Sequence, residues 1–145
     1  MIAIGCDHGG YELKEEIKKR FSDINFKDFG TFSTDRMDFP DVAFPLAESV
    51  ASGECDKGIL ICRSGIGMSI AANKVRGIRC ALCYNIDAAK SAKEHNNANI
   101  IAIAADEIDL KTAIDVINIW LESKFLGGRY QERLDLIQKY EVKER

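Results

Sequence analysis

Five short apolar runs, separated by stretches of helical spacing, constrain this chain more than any other feature. The runs are Ile2–Cys6, a weaker one at residues 25–29, the clearest at 58–62 (Gly58-Ile59-Leu60-Ile61-Cys62), then 79–84 and 100–103. Successive apolar positions of this length fit strands covered on both faces. Leu13, Ile17 and Phe21 recur every four residues, and Glu15/Lys19 and Glu16/Arg20 pair on the other side, which predicts an amphipathic helix over 11–22. After a polar loop at 30–39, Val42, Ala43, Leu46, Ala47 and Val50 predict a second helix, with Pro40 at its start where a missing N–H does no harm. A third is expected over 66–75, and a fourth from Asp87 as N-cap to about His95. Asp109 caps a fifth that carries Leu110, Ala113, Ile114, Ile117 and Leu121; Gly127-Gly128 ends it, and 128–145 reads as a polar helical tail.

The alternation predicts an α/β fold: one domain over 1–145, a doubly wound five-stranded parallel sheet with right-handed crossovers and helices on both faces. The expected strand order is flavodoxin-like, 2-1-3-4-5. It sets the C-terminal ends of the first and third strands side by side at the switch point, where such sheets bind ligands. Two loops then meet: Asp7-His8-Gly9-Gly10 and Cys62-Arg63-Ser64-Gly65-Ile66-Gly67.

Composition narrows the function. Twenty Lys+Arg against 23 Asp+Glu give a net charge of −3, without the basic stripe of a nucleic-acid protein. The longest apolar run, residues 100–105, is far short of the roughly 20 residues of a membrane helix. Met1 leads straight into a strand, so no signal peptide is expected. Five cysteines in a chain long enough for a real core read as reduced thiols of a cytoplasmic protein.

The second loop is a small-residue turn from a strand into a helix N-terminus, where free N–H groups and the helix dipole favour an anion. Cys62, at the mouth of that field, is a candidate base or nucleophile; a cysteine ending a buried strand can equally be a core thiol. Gly65 and Gly67 do not make a dinucleotide fingerprint, because Ile70 holds its third position. Asp7-His8 offers a carboxylate and an imidazole, though a histidine in such a loop is often a bystander. His95 also fits a simple C-terminal helix cap. Cys80 and Cys83 lie on one strand with their side chains on opposite faces and no second Cys/His pair, so they read as core. Arg129 and Arg133, four apart on a helix, could clamp a phosphate or form a solvated face.

Gly5-Cys6-Asp7-His8-Gly9, Gly58 to Cys62, Gly65 to Lys74, Gly77-Ile78-Arg79, His95 to Asn99 and Gly127 to Arg133 together resemble ribose-5-phosphate isomerase type B, in the same order and over nearly the whole chain. The family also includes galactose-6-phosphate isomerase subunits and allose-6-phosphate isomerases. The resemblance implies an intramolecular oxidoreductase of the pentose phosphate pathway that interconverts ribose 5-phosphate and ribulose 5-phosphate through an enediolate, without metal or organic cofactor. It implies a catalytic set of Cys62 as base, His95 in ring opening, Asp7 and Ser64, and a substrate-binding set of His8, Arg63, Gly65, Ile66, Gly67, Asn96, Arg129 and Arg133. Its partner is a small phosphorylated sugar; assembly is a homodimer or a dimer of dimers, with no nucleic acid and no membrane.

The chain departs from the family pattern at three positions. Arg63 follows the cysteine where glycine is usual, Asp106 stands where an arginine commonly binds phosphate, and Phe39 replaces a tyrosine. Arg63 is expected to add a phosphate contact or to narrow the pocket, and either it substitutes for the missing arginine or the substrate end differs. Geometry adds an expectation about assembly. The fourth helix runs back from the Cys62 edge of the sheet, so His95 belongs near the opposite edge, a strand length of roughly 17 Å away. If His95 serves the Cys62 site, it comes from a second subunit across a two-fold axis. Alternatives are an isomerase of allose or galactose 6-phosphate and a non-catalytic sugar-phosphate sensor. A cysteine phosphatase is disfavoured, because Met68 stands where its loop needs arginine.

Overall fold

A computed structural model describes residues 1–143. The five strands are β1 (Ile2–Cys6), β2 (Phe26–Asp28), β3 (Lys57–Cys62), β4 (Cys80–Leu82) and β5 (Ile100–Ala104). The helices are α1 (Tyr11–Arg20), α2 (Pro40–Ala51), α3 (Ile66–Ala72), α4 (Ile86–Glu94), α5 (Leu110–Glu122) and α6 (Arg129–Lys143). All strand pairs are parallel, as expected, and helices cover both faces of the sheet. The last two residues of the expected 128–145 tail lie outside the described residues.

The strand order is β2-β1-β3-β5-β4, so the expected order is corrected at its far edge: β5, not β4, lies beside β3. Length and burial go with this order. The five-residue β5 is buried throughout, as a central strand is, whereas the three-residue β4 is half-buried, as an edge is. Handedness follows through. Connections that move toward the β4 edge carry α2 and α3 on one face; those that move back carry α1 and α4, with α5, on the other, as right-handed crossovers require. Ile4, Ile59, Ile61, Ile101 and Ile103 pack on the α1/α4/α5 side around Trp120, and Leu60, Ile100 and Met68 on the α2/α3 side.

Local signals are partly revised. Asn85, not Asp87, caps α4 by accepting the Ala88 N–H at 2.8 Å, whereas Asp109 caps α5 as expected. Gly127 and Gly128 do not end α5, which stops at Glu122; their positive φ values turn the chain into α6. On α1, Glu15 pairs with Lys18 and Glu16 with Lys19, one residue closer than expected. Cys80 and Cys83 face opposite sides of the sheet. Burial pushes Cys6 up to about 11 and Cys80 and Cys83 up to about 12, which marks them as core thiols. The edge of β4 is closed by Asn73, whose side chain both donates to the Cys80 carbonyl and accepts its N–H. No helix among the described residues is long and apolar enough to cross a membrane.

Candidate active site

The backbone brings the two loops together as expected. Cys6 pairs in register with Ile61, and the Asp7 N–H donates to the Ile61 carbonyl at 3.1 Å, so the turn after β1 lies against the end of β3. Asp7 Oδ1 accepts the N–H groups of Gly9 (2.9 Å) and Gly10 (3.1 Å), which fixes the turn and leaves Oδ2 for a ligand. His8 Nδ1 accepts the Met37 N–H at 3.3 Å, so Nε2 carries the proton of the neutral ring.

Cys62 is 5% exposed at the last position of β3. Its sulfur accepts the N–H of Gly65 at 3.1 Å. Gly65 has φ +74°, and a Cβ there would lie 2.5 Å from Leu82 Cδ1, so only glycine lets the chain turn that amide onto the sulfur. The Ile66 N–H is bound by Ser64 Oγ at 3.2 Å. Gly67 supports the Phe39 ring, which a Cβ would strike at 2.8 Å. Arg63, on the opposite side of the chain from Cys62, reaches toward α1 and α5. There a cavity of 470 Å³ is walled by His8, Gly9, Glu12, Glu16, Arg63 and Asp106, among others.

Two groups escaped the sequence reading. Tyr84 donates its hydroxyl to the Ser64 carbonyl at 2.8 Å and pins the loop; its place just past a strand at the same sheet edge was the available signal. Tyr130 organises the other half of the candidate residues. Its ring stacks on His95 with centroids 4.5 Å apart, its hydroxyl accepts from Arg129 at 3.0 Å, and Arg129 and Arg133 both lie over its face.

That second group is remote from the first. His95 follows α4 at the sheet edge where β5 begins, and β5 pairs there with the start of β3 through Gly58 and Ile100. Cys62 is at the other end, roughly 17 Å along the strand. Asp7, His8, Cys62, Arg63, Ser64, Gly65, Ile66 and Gly67 thus form one cluster, and His95, Arg129 and Arg133 another, with Asn96 next to His95 in a groove under α6. Among the described residues no group of His, Cys, Asp and Glu could hold a metal ion.

Residues 2–137 match the profile of the ribose/galactose isomerase family. The chain belongs to that family. This sugar-phosphate isomerase is 46% identical to the ribose-5-phosphate isomerase B of Clostridium thermocellum, whose solved structure superposes with a TM-score of 0.97 over 99% of both chains. It is 41% identical to ribose-5-phosphate isomerase B of Escherichia coli, over 97% of this chain and 95% of that one. It is also 37% identical to the D-erythrulose-4-phosphate isomerase of Pectobacterium atrosepticum, over 99% of this chain and 97% of the other. Family members therefore differ in the sugar phosphate they act on, and the enzyme's own choice rests on its site.

Proposed function

We propose that this isomerase interconverts ribose 5-phosphate and ribulose 5-phosphate at a site built around Cys62 and completed by a second copy of the chain. The carrying observation is the Cys62 sulfur, held under the Gly65 N–H at the mouth of a turn that also abuts Asp7 and His8. In the open-chain aldose, the Cys62 thiolate takes the proton from C2, the electron pair moves to the carbonyl oxygen, and the resulting enediolate is reprotonated at C1. A proton passes from the oxygen on C2 to that on C1, and Asp7 and His8 are suited to carry it. Ser64 and the amides of the 63–67 turn supply donors where negative charge develops on oxygen. The Ile66 amide exchanges its long bond to Ser64 Oγ for the substrate. A base so placed contributes a factor of roughly 10²–10⁴.

His95, Asn96, Arg129 and Arg133 serve ring opening and phosphate binding from the partner subunit. Their distance from Cys62 in one chain supports this, and so does the surface of α6. Arg129, Arg133, Leu136 and Tyr140 follow a 4-3-4 spacing and so share one stripe, and Leu136 and Tyr140 are exposed on it. A partner that covers the apolar half of the stripe takes the two arginines with it. Ile66 and Ile70 expose a second apolar stripe on α3, directly beside the Cys62 loop.

The direct test is formation of ribulose 5-phosphate from ribose 5-phosphate, with allose 6-phosphate, galactose 6-phosphate and erythrulose 4-phosphate in parallel. Preferred turnover of one of those three would replace ribose in this reading; binding without turnover would make the protein a sensor. The shared site is tested by mixing Cys62→Ala and His95→Ala chains, each inactive alone. Hybrids regain about one intact site per dimer, and no recovery after verified subunit exchange excludes sharing.

A further inference from the structure

Arg63 and Asp106 stand side by side at the sheet edge that carries the candidate site, and the backbone sets them there. Beyond the last β3–β5 pair, Cys62–Ala104, the ladder continues through Ala105 N–H to the Cys62 carbonyl (2.8 Å) and Asp106 N–H to the Arg63 carbonyl (3.0 Å). This adjacency exists only because β5 lies beside β3. The Arg63 stem crosses the Gly9 backbone, where a Cβ would lie 2.5 Å from its Cγ, so the side chain also touches the turn that carries Asp7 and His8. Its Nη1 lies 3.6 Å from Asp106 Oδ1, an ion pair too long for a hydrogen bond. The guanidinium makes no hydrogen bond to any described residue, and its five donors are open to a ligand.

Arg63 is the group on this wall that would draw an anion. Arg63 is the one Lys or Arg on the wall of the cavity it enters, opposite Glu12, Glu16 and Asp106. An exposed pair such as this, 62% and 51% accessible, contributes little to stability. What Asp106 does is restrict where a long, flexible cation rests. We propose that Asp106 is a positioning residue, which holds Arg63 over Gly9 as the fork that binds the substrate's phosphate within the Cys62 subunit. The inference rests on the isomerase reading above and gives the substrate a direction: reacting carbons at Cys62, phosphate past His8 at Arg63. Asp106 acts in two opposed ways, since it repels a phosphate directly and recruits the cation that attracts it. Recruitment dominates only while Arg63 is present.

That opposition gives a test with a change of sign. Arg63→Ala, Asp106→Asn and the double variant are compared by KM and kcat for the aldose phosphate that the wild type turns over, and by competitive inhibition with inorganic phosphate. Arg63→Ala is expected to raise KM and weaken phosphate inhibition about tenfold, the scale of a charge-assisted hydrogen bond, with the loss falling on KM rather than kcat. Asp106→Asn in the wild type weakens phosphate inhibition severalfold, whereas in the Arg63→Ala background it strengthens it. Asp106→Asn that strengthens phosphate binding in both backgrounds makes Asp106 a repelling group only, and unchanged KM and inhibition in Arg63→Ala removes Arg63 from the phosphate; either overturns the proposal. Thermal melts of the three variants exclude unfolding. If the wild type turns over no aldose phosphate, the isomerase reading fails separately, and calorimetry of inorganic phosphate binding to the same variants still decides the coupling.

Discussion

At the scale of the residue, what its sulfur touches sets Cys62 apart. Burial raises Cys6, Cys80 and Cys83 well above the ordinary thiol value, and the Cys62 sulfur accepts a backbone N–H from the start of a helix. Cys62→Ala is accordingly expected to lower kcat by roughly 10²–10⁴ with the melting temperature almost unchanged. A variant that keeps wild-type turnover would show that the base lies elsewhere. Gly65→Ala makes the complementary point. A methyl there meets Leu82 at 2.5 Å and the Ile103 backbone carbon at 3.3 Å, in a left-handed conformation, so about 1–3 kcal/mol of stability should be lost together with most of the activity. Equal loss of stability with full activity would dissociate the amide from the chemistry. Cys62 and Gly65 were legible in the sequence, since a strand that runs into a small-residue turn needs nothing distant to declare itself. Tyr84 and Tyr130 were not, because each acts on a loop or ring that only the folded chain brings near.

At the scale of the element, strand and helix identities followed from apolar spacing, but the position of β4 and β5 did not. Chain order proposes neighbours; both strands are apolar, and the difference here is length, since three-residue β4 is too short to cover both faces of a centre and five-residue β5 is not. The same limit hid Lys14, because a lysine in an amphipathic helix does not announce a buried partner. Its ammonium is wholly buried and donates to Asp28 Oδ1 at 2.8 Å and the Thr31 carbonyl at 2.6 Å, with the Phe32 ring 4.7 Å away. Lys18 adds a second bond to Asp28 at 2.8 Å, so α1 is tied to β2 and to the loop that reaches His8. Burial pushes the Asp28 carboxyl upward, but the hydrogen bonds from Lys14 and Lys18 outweigh it and hold the group below its ordinary value. A depressed carboxylate stabilises the fold at pH above its unfolded value of about 3.9, and that contribution disappears as pH falls through the lower folded value. Urea midpoints should therefore drop on acidification below about pH 4, and drop less steeply in Asp28→Ala. At neutral pH that variant, which strands a buried ammonium, should be destabilised by about 3 kcal/mol. Identical acid limbs for the two proteins would place the titrating group elsewhere.

At the scale of the whole molecule, the proposed site draws on two clusters that lie at opposite ends of one chain's sheet, and a second copy in antiparallel orientation would bring both ends together twice. A two-fold dimer does so with a single interface, since each protomer offers the Cys62 edge and the α6 stripe at once. The stripe reports on this directly. Leu136 and Tyr140 are 67% and 66% exposed, and of α6 only Leu134 is buried in the chain's own core. Replacing both exposed residues, Leu136→Glu with Tyr140→Glu, leaves the intrachain packing intact and sets like charges across the axis. The expected result is a monomer by sedimentation, with an unchanged far-ultraviolet dichroism spectrum and turnover reduced by at least 10²-fold, because losing proximity removes His95 and the two arginines from the reacting sugar. Activity should return in part at high protein concentration, where dimers re-form. A fully active monomer would mean that one chain suffices and that the His95 cluster serves another purpose. An inactive dimer would show that the α6 stripe acts on the site without joining the subunits.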